Sequence, residues 1–63
     1  MASDEIRRVL KVFGVAVTNL DDALDRGAPA NEIMKWDSEV ADRMRDVTAM
    51  IDRLRSRRFD KSP

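Results

Sequence analysis

Apolar side chains recur along the first half of the chain in three successive seven-residue units: Ile6-Val9-Leu10, Phe13-Ala16-Val17 and Leu20-Ala23-Leu24. Each unit opens on a large residue, places a small or β-branched one three positions later, and adds another apolar residue directly after it. At about 100° per residue these side chains fall within roughly 140° of a helical wheel, which predicts an amphipathic helix. A face that wide exceeds a simple two-helix seam and needs more than one neighbour. A strand over residues 9–17 is the competing reading, because β-branched residues are dense there. Alternation fails, however, since Leu10, Val12 and Ala16 fall on the side that should be polar.

Helix 1 is expected over about residues 4–26. Ser3 suits the N-cap, with Asp4 and Glu5 in the first turn at the positive end of the helix dipole. Gly27 suits the left-handed position just past a helix end, and Pro29 forbids continuation while suiting the start of a new helix. Residues 27–29 therefore read as a tight turn of the length that makes two helices antiparallel. Gly14 lies at the margin of the stripe, where it either admits a closely approaching backbone or is a tolerated weak spot.

Helix 2 is expected over about residues 30–58, followed by a basic tail, 59–63. Its apolar stripe reads Ile33, Trp36, Val40, Met44, Val47, Ile51 and Leu54. Several of these recur at eleven residues, about 3.67 per turn, which favours a nearly straight helix. Ala30, Ala41 and Thr48 flank one side, where small residues would let another helix approach. Asp37 falls inside this stripe, a polar residue that needs a partner if buried; the alternatives are a water-exposed gap, a helix cap, or a pairing with an arginine of a second chain that would make it a specificity device.

Folding the chain at residues 27–29 sets Leu24 against Ile33, Leu20 against Trp36, Val17 against Val40, Phe13 against Met44 and Ile6 against Ile51. Half of each wide stripe remains wet in a lone hairpin. The fold class expected is thus all-α, a two-helix antiparallel hairpin forming one domain and dimerising into a four-helix bundle. Its core and oligomer interface would be Ile6, Val9, Leu10, Phe13, Ala16, Val17, Leu20, Leu24 and the seven stripe residues of helix 2.

The chain has 63 residues and neither Cys nor His. That length is near the lower limit for a self-sufficient core, and with no disulfide and no usual zinc chemistry, oligomerisation is the remaining way to gain stability. The longest apolar run, residues 12–17, is far short of the roughly 20 residues a membrane span needs. Asp4 and Glu5 replace the basic start of a signal peptide, so the expected location is cytoplasmic and no membrane partner is expected.

Twelve Lys and Arg balance twelve Asp and Glu, but not evenly along the chain. Arg7, Arg8 and Lys11 lie near one end, Arg53, Arg55, Arg57 and Arg58 near the other, and most acidic residues lie between. A hairpin brings the two basic stretches together at its open end and leaves the loop end acidic. Part of that asymmetry is ordinary helix-dipole compensation. It would also orient two hairpins head to tail, or offer the seven cations to an external polyanion, with Phe59 available to stack a base.

Catalytic chemistry is not expected. Without His, Cys or Tyr the familiar nucleophile–base pairs cannot be built, and no Gly-rich phosphate loop occurs. Asp21, Asp22 and Asp25 cluster near the loop, but Asp22 and Asp25 lie opposite the apolar stripe, so neither a metal nor another cofactor is expected. The expected function is that of a small non-enzymatic interaction protein, an adaptor, assembly factor or regulator, partnering itself and another protein. Val15, Met34 and Met50, outside the stripes, are its expected exposed contacts. The alternative is a nucleic-acid-binding regulator using the basic end. In size and hairpin plan the chain resembles the repressor-of-primer family, small dimeric four-helix bundles that bind paired RNA loops. That resemblance is one of architecture and implies the dimeric topology alone.

Overall fold

Gly27 turns the chain. It takes φ +64°, the left-handed conformation that costs glycine nothing and other residues strain. Around it the Gly27 N–H donates to the Leu24 carbonyl at 3.2 Å and the Ala28 N–H to the Ala23 carbonyl at 2.9 Å. These two bonds make a Schellman ending, which satisfies carbonyls the helix would otherwise leave open. The Pro29 carbonyl then accepts from Ile33 at 3.1 Å and starts the second helix.

The computed structural model describes residues 4–60, with side chains through Arg57. It is all-helical, with α1 over Asp4–Asp25 and α2 over Ala30–Asp60. Ser3, the expected N-cap, lies outside the described residues. Helix α1 ends one residue before the expected Arg26, because Arg26 already belongs to the Schellman ending. Helix α2 continues two residues past the expected Arg58, so Phe59 and Asp60 are helical backbone.

The two helices pack antiparallel, and two ion pairs fix their register. Arg53 Nη2 lies 2.7 Å from Glu5 Oε2 at the open end, and Arg26 pairs with Glu32 at the loop. The two pairs bracket one seam, in which Ile6, Val9, Phe13, Ala16, Leu20 and Ala23 of α1 are buried or half-buried. These residues repeat strictly at three and four positions. Helix α2 answers with the same repeat: Ile33, Trp36, Val40, Arg43, Val47 and Met50 are buried or half-buried, and Leu54 continues the series at the open end.

This seam corrects the expected stripe of α2 at two positions. Arg43 and Met50 occupy the places expected for Met44 and Ile51, which lie one residue further round the helix and are exposed. Phe13 against Met44 and Ile6 against Ile51 are therefore not seam pairs. Neither are Val17 against Val40 or Leu24 against Ile33, because Val17 and Leu24 lie exposed beside the seam. Ile6 instead shares an open-end cleft with Met50, Arg53 and Leu54. The physical reason is period matching. A partner helix repeating every seven residues accepts an answering seven-residue repeat, whereas an eleven-residue one drifts out of contact. Met50, expected to be exposed, is instead 5% exposed and among the most buried side chains.

Two open alternatives are decided. A Cβ built on Gly14 meets nothing within 4 Å, so no backbone approaches it within the hairpin. Asp37 is exposed, the water-facing one of the alternatives, and needs no partner for solvation reasons.

Candidate functional site

The seam divides the hairpin into two unlike sides. In seven-residue repeats, the position preceding each seam pair on α1 holds Glu5, Val12, Asn19 and Arg26; on α2 it holds Glu32, Glu39, Asp46 and Arg53. The ion pairs Glu5–Arg53 and Arg26–Glu32 join these two columns, so both lie on one side of the hairpin. Arg43 leans the same way, 3.4 Å from Asp46 and 3.9 Å from Glu39. That side is mostly polar, with Val12 its one exposed apolar residue in these two columns, and its charges pair largely with one another.

The opposite side is different in kind. The position following each seam pair holds Leu10, Val17 and Leu24 on α1 and Asp37, Met44 and Ile51 on α2. Antiparallel packing that joins the first two columns must place these two together along the other flank. All five apolar members are exposed, from 38% at Ile51 to 56% at Leu24. Next to them on α2, Val40, Ala41, Met44, Thr48 and Ala49 line a shallow groove of about 490 Å³, with Asp37 at its loop end, Arg45 at mid-length and Asp52 at its open end. The small Ala41 and Thr48 that flank the stripe are what make this groove.

Of the expected interface residues, the structure brings Ile6, Val9, Phe13, Ala16, Leu20, Ile33, Trp36, Val40 and Val47 into the seam, with Leu54 at its open end. It leaves Leu10, Val17, Leu24, Met44 and Ile51 exposed, in the two columns that antiparallel packing places on the apolar side. Sequence reasoning missed Arg43 as a seam residue. The signal was its spacing: it sits three residues from Val40 and four from Val47, the same interval as its apolar seam neighbours.

At the loop the electrostatics are specific. Arg26 bonds Glu32 across the turn and Asp22 Oδ2 at 3.4 Å on its own helix. The hydrogen bond from Arg26 holds the Glu32 carboxyl below its ordinary range, assisted by the Trp36 N–H and the charges of Arg26 and Lys35, while desolvation opposes it. Lys35 Nζ lies 4.9 Å above the Trp36 ring, so Trp36 has its indole N–H near Glu32 and a cation on its face. Trp36 serves as a seam residue with polar edges.

The basic open end is partly committed. Arg53 is held by Glu5, and Arg55 lies 3.9 Å from Asp52 on its own helix. Arg7, Arg8, Lys11 and Arg57 are exposed, while the side chains of Arg58 and Phe59 lie outside those described. Among the described residues no cluster of acidic groups is arranged to hold a metal ion, and no helix is long and apolar enough to cross a membrane. Comparison of the chain with protein-family models, with curated proteins and with solved structures gives no match.

Proposed function

We propose that this chain is a small non-enzymatic interaction protein, an adaptor, assembly factor or regulator, that works as a homodimeric four-helix bundle. The observation that carries the proposal is the apolar side: five large side chains exposed along one flank, opposite a flank closed by ion pairs. Contiguous apolar surface of this kind marks protein association sites. A hairpin of this size has too little core to be strongly stable alone, and a second layer of helices supplies the missing neighbours.

The double variant Val17→Glu/Met44→Glu tests it. Both residues are exposed in the hairpin, so helical content by circular dichroism should persist at high protein concentration while light scattering reports a monomer. An unchanged dimer would remove this side as the interface. A native protein that is monomeric from the outset would remove the proposal itself. Affinity capture from the native host with mass spectrometry then identifies what the dimer binds, and recovery of nothing beyond the chain itself would leave the adaptor reading without support.

A further inference from the structure

We infer that two copies pair head to tail, with Asp37 and Asp21 of one hairpin facing Arg7 and Arg55 of the other. The inference rests on the dimeric reading and specifies its orientation. In the columns that flank the apolar side the charges differ in sign between its two ends, while Arg45 at mid-length and Asp52 at the open end also line the groove. Asp37 shares a helical column with Met44 and Ile51 at the loop end, and Asp21 shares the next column out with Gly14. At the open end, Arg7 lies in the column of Asp21, and Arg55 in the matching outer column of α2, with Ala41 and Thr48.

All four side chains are exposed. Among the described residues Asp21, Asp37 and Arg7 make no ion pair, and Arg55 has only its 3.9 Å neighbour Asp52. A two-fold axis through the Val17 and Met44 layer, perpendicular to the helices, lays each loop end on the partner's open end. Asp37 then falls within one helical turn (~4.5 Å) of Arg7 of the other copy along the axis, a span an arginine side chain covers, and ~9 Å from its Arg55, which adds a longer-range attraction of the same sign. The reverse arrangement, with both loops at one end, sets Asp37 and Asp21 against their own copies and the arginines likewise. Apolar contact is similar either way, because Leu10 with Ile51 at one end resembles Leu24 with Met34 at the other. Charge therefore decides the orientation, by penalising the alternative.

The chain has no cysteine, so a single Ala30→Cys substitution at the exposed start of α2 takes one spin label per copy. Fourteen residues of helix separate this position from Met44, so head-to-tail pairing predicts labels about 40 Å apart, and the reverse arrangement about 20 Å. Charge reversal gives an independent reading. Asp37→Arg alone and Arg7→Asp/Arg55→Asp alone should each dimerise about 10-fold more weakly than the native chain, and their equimolar mixture should recover native affinity as a heterodimer. A dimer with the short distance, or reversals without effect and without rescue, overturns the orientation and leaves the dimeric reading standing. A native chain still monomeric at 100 μM overturns both.

Discussion

Arg43 is the residue at which the seam departs from its apolar pattern, and replacing it measures what that departure costs. Its register sets it in the layer of the small Ala16, and its Nε is buried without a hydrogen-bond acceptor. Leaving such a donor unsatisfied costs about 1–3 kcal/mol. The compensating ion pairs, to Asp46 at 3.4 Å and Glu39 at 3.9 Å, involve half-exposed carboxylates and contribute roughly 0.2–1 kcal/mol each. Arg43→Leu removes both contributions and adds an apolar side chain at a site two-thirds shielded, contributing about 1 kcal/mol. The expected balance is stabilisation by about 1–2 kcal/mol, in line with the general finding that apolar groups can replace buried ion pairs without loss. Urea unfolding followed by Trp36 fluorescence and by circular dichroism at matched concentration reads the change. A loss of more than about 1 kcal/mol would refute the reasoning, by showing that the Glu39–Arg43–Asp46 cluster outweighs the buried donor.

Other outcomes follow from single residues. Gly27→Ala should destabilise the hairpin by about 1 kcal/mol or more, because its φ is +64°, whereas Gly14→Ala, with open space at its Cβ, should raise helix stability by about 0.5–1 kcal/mol; thermal melting of the two variants side by side checks the opposite signs. Met50→Ala should cost about 2–4 kcal/mol in urea unfolding, and a cost near zero would return the seam to the eleven-residue stripe. Carbon-detected NMR titration should find the Glu32 carboxyl below its ordinary range, and Arg26→Ala should move it back. Because the folded value is the lower one, Glu32's contribution is present above its unfolded value and is lost as pH falls through the folded one, so Glu32→Gln should flatten that part of the acid limb. Fluorescence anisotropy with duplex and hairpin oligonucleotides at low salt should show binding weaker than about 100 μM; tighter binding whose log affinity falls with log salt by about 0.9 per phosphate contact would favour the nucleic-acid reading.

The bounds of α1 and the turn were legible in the sequence because the signals for them are single-valued. Apolar residues of α1 recur at unbroken intervals, and Gly27 with Pro29 permits few alternatives to a reversal. The residues of α2 that meet α1 were not legible, because two of its adjacent columns rival each other in apolar character. Between Arg43 and Met44 hydrophobicity favours the methionine, and between Met50 and Ile51 it cannot choose. The partner helix does choose, and it takes Arg43 by its aliphatic stem while the guanidinium reaches toward Glu39 and Asp46. The same shift of frame explains Asp37, which looks buried only if Met44 belongs to the seam. Once Met44, Ile51 and Asp37 are recognised as one column, the apolar residues left over on α2 match Leu10, Val17 and Leu24 on α1. The width of the α1 stripe announces that second surface, but only the seam decides which residues belong to it.

Sedimentation equilibrium of the native chain across about 1–100 μM tests the central claim most directly. Two hairpins joined across the side of Leu10, Val17, Leu24, Met44 and Ile51 predict a species of twice the 7.2 kDa chain mass, dissociating to monomer only on dilution. A single species of 7.2 kDa over the whole range, with a cooperative melt independent of concentration, would contradict it.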